Sequence, residues 1–173
     1  SYHYFMHHHL FDHIDIDPKN IHIPDGTLKA EEIENFCKEY ERQIEAAGGI
    51  DIQVLGIGRT GHIGFNEPGS PLTSKTRMVY LDDLTIKDAA GDFGGMENVP
   101  SRAITMGVGT IMKARKVILL AWGEKKASII KATVEGSVSD AVPATFLQVH
   151  PNVQFVIDES AAEELTRANQ PWL

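Results

Sequence analysis

The sequence predicts an α/β fold in which a mainly parallel sheet carries helices on both faces. Apolar runs at 50–57, 116–122 and 153–157 have the length of strands buried on both sides, and glycines close the first two. Helical patterns follow at 107–114, 124–135 and 160–167. Strands and helices therefore alternate, which implies βαβ crossovers and parallel strand pairing. In such sheets ligands bind beyond the carboxyl ends of the strands, so a site is expected in the loops that follow them.

The elements can be justified in order. Phe5, Met6, Leu10, Phe11 and Ile14 have helical spacing and Ser1 is placed to cap, so residues 1–14 read as a short amphipathic helix. Residues 14–23 alternate isoleucine with polar residues and suit an extended segment. From Thr27, a good cap, Ile33, Phe36, Cys37, Tyr40 and Ile44 keep one apolar stripe; Glu31 and Glu32 favour the first turn, and Gly48 with Gly49 ends the helix. The strand at 50–57 then runs into a glycine-rich loop. No internal repeat or low-complexity segment is present.

Composition narrows the function classes. The 173 residues are 42% hydrophobic and 23% charged, enough for one domain with a proper core and too apolar for disorder. The net charge of −8 repels phosphodiester backbones and anionic lipids, so neither nucleic acid nor a membrane is an expected partner. No stretch approaches the ~18 apolar residues that span a bilayer. The single cysteine, Cys37, excludes an intramolecular disulfide and a multi-cysteine zinc site; it fits a reducing compartment, and a cytoplasmic location is expected. The first residues lack both an initiator Met and signal-peptide features, and Asn169 to Leu173 reads as the start of a linker or tail. Residues 1–168 are thus expected to be the carboxyl-terminal part of a larger domain.

The loop after the first buried strand concentrates the chemistry. Five glycines, Gly56, Gly58, Gly61, Gly64 and Gly69, fall within fourteen residues, which marks positive-φ backbone or close approach of a ligand. Gly56, Gly58 and Gly61 have the G-x-G-x-x-G spacing, but no helix pattern follows as the dinucleotide fingerprint requires, so no dinucleotide cofactor is expected. What remains is His62 with Glu67 nearby, the usual equipment for moving protons at neutral pH. The plainer alternative is a histidine that only bonds the turn and a solvated glutamate. Lys126 is expected in the first turn of the helix that follows the 116–122 strand, where backbone N–H groups attract phosphate and an ammonium adds a point charge; a solvated lysine is the alternative.

Other clusters carry less. His3/His7 and His9/His13 share helix faces, but a metal site needs a third ligand and supporting contacts, so no metal is expected. Cys37 lies on an apolar stripe with no basic neighbour and reads as packing. Asp82, Asp83, Asp88 and Asp92 miss the calcium-loop spacing.

The string 56–69, with its F-N-E-P segment at Phe65 to Pro68, closely resembles the signature of the glucosamine-6-phosphate deaminase family, which is related to the 6-phosphogluconolactonases. The likeness extends upstream through Ser1-Tyr2, Phe5 to His7, Phe11 to His13 and Ile16. Downstream it runs through Leu72, Ser74, Thr76-Arg77, Val99-Pro100, Ala103, Thr105, Gly107 to Thr110, Lys126-Ala127, Val134 to Gly136 and Leu147 to Pro151. Nearly the whole chain is covered. The resemblance implies a Rossmann-like, NagB-type sheet lacking its first βα units. It also implies conversion of glucosamine 6-phosphate to fructose 6-phosphate and ammonia, without metal or organic cofactor. On that resemblance His62 is the acid/base for ring opening, acting with Glu67, and Gly56, Gly58, Gly61, Asn66 and Lys126 contact the sugar phosphate. The family's proton-shuttling aspartate and a Ser/Thr-rich phosphate loop would precede Ser1. A homo-oligomer is implied as well.

Three positions depart from the family's pattern. Thr60 stands where the family has an aspartate that orients the imidazole; it can hydrogen-bond but adds no charge. No basic residue lies near Gly91-Asp92, where a phosphate-holding arginine is expected. Of a basic pair that binds an allosteric effector in some members, Arg77 matches and Val79 replaces the lysine. Two rival readings follow: a 6-phosphogluconolactonase-like hydrolase, in which the same histidine activates water, and a non-catalytic sugar-phosphate-binding module.

Overall fold

A computed structural model describes residues 2–166. Its frame is a three-stranded parallel sheet of order β1-β4-β5, built from Ile52–Leu55, Lys116–Ala121 and Val153–Ile157. These are the three apolar runs read as strands, shortened at one or both ends in the first two cases. Register explains their burial: Leu55 pairs with Leu119, and Val117 and Leu119 pair with Val153 and Phe155, all on one face. That face packs with Ile57, Ile63, Ile111, Ile130, Ala144 and Leu147 into the core. The opposite face carries Ile52, Val54 and Val156, exposed by 58%, 56% and 45%.

The intervening elements were only partly legible. α1 is Tyr2–His9, and a separate 3-10 turn, Phe11–His13, replaces the rest of the expected 1–14 helix. His13 Nε2 bonds the His8 carbonyl at 2.8 Å and His7 Nδ1 bonds Asp12 at 3.1 Å, so side chains satisfy the helix end and the turn. The expected apolar stripe stays open, with Phe5 53% and Leu10 42% exposed. The capping role of Ser1 lies outside the described residues.

α2, Ala30–Ala46, starts three residues after Thr27, whose hydroxyl bonds Asp25 instead; Glu32 accepts from the Lys29 N–H and closes the first turn. α4 is only Val108–Ile111, α5 is Ala127–Glu135 preceded by a 3-10 turn at Glu124–Lys126, and α6 is Glu159–Ala162, capped by Asp158. Lys126 is therefore the residue that enters α5, not one inside its first turn. Arg167, the expected end of α6, and residues 169–173 lie outside the described residues.

A second sheet was not anticipated. β2, Arg77–Tyr80, and β3, Arg102–Thr105, pair antiparallel, with Arg77 opposite Thr105. Between them runs α3, Asp83–Phe93, capped by Asp82, whose carboxylate accepts from Leu84 N at 2.8 Å. This unit stands beside the glycine-rich loop: the Phe65 N–H donates to Thr105 Oγ1 at 3.0 Å.

Among the described residues no helix is long and apolar enough to cross a membrane. Buried Glu41 ties α2 to the loop before β2 and to α4. Its Oε1 accepts from Thr76 N (2.8 Å), Thr76 Oγ1 (2.5 Å) and Thr110 Oγ1 (2.6 Å).

Candidate active site

The site begins where β1 ends. Parallel pairing of β1 with β4 sets their carboxyl ends side by side, so the loop from Gly56 and the turn holding Lys126 are neighbours. Lys126 Nζ donates to the Ile57 carbonyl at 2.6 Å. The ammonium is half-buried; desolvation lowers its pKa, the Asp88 carboxylate opposes that shift, and Arg59 adds to it.

Within the loop, His62 Nδ1 lies 3.1 Å from Glu67 Oε2 and 3.0 Å from Thr60 Oγ1. The Thr60 hydroxyl in turn donates to Glu67 Oε2 at 3.0 Å, and the Thr85 hydroxyl donates to Glu67 Oε1 at 2.6 Å. Burial alone would raise the Glu67 pKa. Hydrogen bonds from His62 and Thr85, attraction to the imidazolium and the Thr60 hydroxyl outweigh burial and hold it at about 2. Glu67 is thus an ionised, acceptor-only group, which requires the proton of a neutral imidazole to sit on Nδ1. The lone pair is left on Nε2, which has no hydrogen-bond partner among the described residues.

Backbone geometry makes this possible. A Cβ on Gly58 would overlap the His62 ring, so only glycine lets the imidazole lie against the chain there. Gly61 adopts φ +78°, and a Cβ on it would meet Val142 Cγ1 at 2.5 Å. Their amides are spent inside the loop: Gly58 N donates to His62 O and Gly61 N to Gly58 O, each at 3.0 Å. Gly58 and Gly61, expected at the substrate, therefore shape the loop and have no N–H to offer a ligand. Gly56 is exposed with open space above it and can be approached.

Asn66, also expected at the substrate, is fully buried. Its Nδ2 donates to Ile63 O and Met106 O, both at 2.8 Å, and its Oδ1 accepts from Arg77 at 2.9 Å, so the side chain braces the loop and cannot reach a ligand. Arg77 also donates to Ser70 Oγ at 3.1 Å, so its guanidinium braces the loop.

Sequence reasoning missed Thr85 and the ion pair of Arg59 with Asp88, whose hydrogen bonds measure 2.8 and 2.5 Å. Asp82 as a cap signals a helix start and so places Thr85 in a first turn, but its contact with Glu67 spans 18 residues and left no local trace. The histidines of α1 stack on one another and on aromatic rings, as His3 does on His7 at 4.5 Å. Among the described residues no three His, Cys, Asp or Glu side chains converge as metal ligands. Cys37 is buried, and desolvation with Glu41 nearby pushes its thiol pKa up.

The fold and this histidine–carboxylate loop define an α/β scaffold with an acid/base pair at the carboxyl end of its parallel sheet. Residues 1–156 match the family of glucosamine-6-phosphate isomerases and 6-phosphogluconolactonases, and the chain belongs to that family. It is 57% identical over 166 residues to the glucosamine-6-phosphate deaminase of Shewanella woodyi, covering 96% of this chain and 62% of that protein. The corresponding deaminase of Thermoanaerobacter pseudethanolicus is 52% identical over 162 residues, covering 94% and 63%. Among solved structures, a monomeric glucosamine-6-phosphate deaminase superposes with a TM-score of 0.91 at 40% identity, over 95% of this chain and 67% of that one. The chain thus spans under two thirds of the length of both sequence relatives.

Proposed function

We propose that the polypeptide containing this chain deaminates and isomerises glucosamine 6-phosphate, giving fructose 6-phosphate and ammonia from the sugar phosphate and water. The observation that carries the reading is the His62–Glu67 contact of 3.1 Å at the carboxyl end of β1, beside Lys126. The names of the relatives support the substrate.

The chemistry assigned to these residues is ring opening. Glu67 keeps the His62 proton on Nδ1, leaving Nε2 to take the proton of the anomeric hydroxyl and return one to the ring oxygen as the carbon–oxygen bond breaks. Glu67 stabilises the imidazolium formed on the way, and Thr60 orients the ring through its hydroxyl. Lys126 supplies positive charge for the phosphate. The proton transfer between carbons 2 and 1 is assigned to the aspartate that the family carries upstream. No metal or organic cofactor is needed in this scheme. The family also implies a cytoplasmic homo-oligomer, whereas the solved relative is a monomer; sedimentation velocity of the full-length polypeptide tests the assembly state.

Ammonia release from glucosamine 6-phosphate by the full-length polypeptide tests the function. Hydrolysis of 6-phosphogluconolactone without ammonia release would replace this reading with the hydrolase, and binding without turnover would replace it with a sensor.

A further inference from the structure

We propose that Thr85 is a positioning residue for the His62–Glu67 pair: its hydroxyl holds Glu67 Oε1 so that Oε2 stays on the imidazole, and the seating of α3 thereby sets the geometry of the site. The inference rests on the acid/base role assigned to His62 above. The two Glu67 oxygens are used differently. Oε2 takes both the imidazole and Thr60, while Oε1 takes the Thr85 hydroxyl, at 2.6 Å the shortest contact in the cluster. The terminal torsion of a glutamate is broad, so a carboxylate held at one oxygen can swing; a second anchor fixes its plane.

The anchor belongs to another element. Thr85 lies in the first turn of α3, whose start is fixed by the Asp82 cap, and its hydroxyl is also 3.4 Å from His62 Nδ1. Three residues along the same helix face, Asp88 grips Arg59 of the glycine loop through two hydrogen bonds. α3 has no fully buried side chain, and these polar contacts join it to the loop at two points. The charged groups facing the pair are few: the imidazole and Glu67 in the loop itself, and from α3 the Asp88 carboxylate, which is neutralised by Arg59. Thr85 can therefore set the orientation of Glu67 without adding a charge.

The test uses the full-length polypeptide with Thr85→Val, which removes the hydroxyl at similar volume, and Thr85→Ser, which keeps it. Steady-state ammonia release gives kcat and KM, and imidazole 15N shifts of His62 near neutral pH report its tautomer. In Thr85→Val, kcat should fall about tenfold or more while KM stays within about twofold, as expected for lost orientation rather than lost binding. The Nδ1–H tautomer should lose its dominance in that variant, and Thr85→Ser should restore both readouts. Thr85→Ala carries the same expectations should the valine methyl not fit. Unchanged kcat and tautomer in Thr85→Val, or failure of Thr85→Ser to rescue, would overturn the proposal. Absence of ammonia release by the unmodified protein would overturn the proposed reaction instead, and the tautomer measurement would still judge Thr85.

Discussion

Two carboxylates in this molecule, buried Glu41 and part-buried Glu67, are built alike and do different work. Glu41 and Glu67 each sit among threonine hydroxyls, Thr76 and Thr110 for one, Thr60 and Thr85 for the other. In both, burial raises the pKa and hydrogen bonds more than cancel it, so both stay ionised. Glu41 has only donors that never titrate, and it fastens α2 to the strand unit. Glu67 has an imidazole among its donors, so the same cradle can handle a proton. The identity of one donor separates a clamp from chemistry.

The sharpest way to break this comparison is to neutralise each carboxylate. His62→Gln and Glu67→Gln should each slow turnover of the full-length protein by ~10²- to 10⁴-fold, and the double variant should be far from additive because the pair acts as one unit. Glu41→Leu should leave kcat of the folded protein nearly unchanged. It should cost on the order of 3 kcal/mol of stability by urea unfolding, because three buried donors lose their acceptor. A large kcat loss with intact stability in Glu41→Leu would erase the distinction.

Lys126→Ala removes the ammonium beside the loop and should raise KM by ~10- to 100-fold with a smaller change in kcat, the size of a hydrogen bond to a charged group. An unchanged KM would place the phosphate elsewhere.

Acid stability sharpens the comparison further. Glu67 falls from 4.5 to about 2 on folding, so it stabilises the fold fully above about pH 4.5 and loses that contribution as pH drops toward 2. The slope of unfolding free energy between about pH 5 and pH 3 should therefore flatten in Glu67→Gln.

The smallest effect concerns Thr60. Thr60→Asp would set a second carboxylate about 3 Å from both His62 Nδ1 and Glu67 Oε2, the present hydroxyl distances. Added negative charge favours the imidazolium, so the His62-dependent limb of the pH–rate profile should move up. A limb that stays put or moves down would show that Glu67 alone already governs the imidazole.

The legible parts of the fold are those whose signal is local. β1, β4 and β5 are short apolar runs whose inward side chains enter the core, although their other face stays open rather than buried, and Val153–Ile157 matches the expected bounds to the residue. β2 and β3 escaped notice because each is four residues, begins with arginine and finds its partner some 25 residues away, as Arg102 opposite Tyr80 and Arg77 opposite Thr105 show. His62 and Glu67 could be paired because one loop carries both. Sequence could not show that the Asn66 amide and the Gly58 and Gly61 N–H groups, expected at the substrate, are hydrogen-bonded inside the protein. The same limit hid Thr85, whose partner lies on a different element.

The crowding at Gly58 has a consequence for how this loop can vary. The His62 ring occupies the volume where any side chain at 58 would begin, whereas the space above Gly56, two residues earlier, is open. In a saturation library selected for activity, position 58 should return a single amino acid while position 56 accepts alanine and serine. Two glycines that look interchangeable on paper would then differ in kind: one a fixed letter of the loop, the other a free variable through which substrate fit could be retuned without disturbing the imidazole.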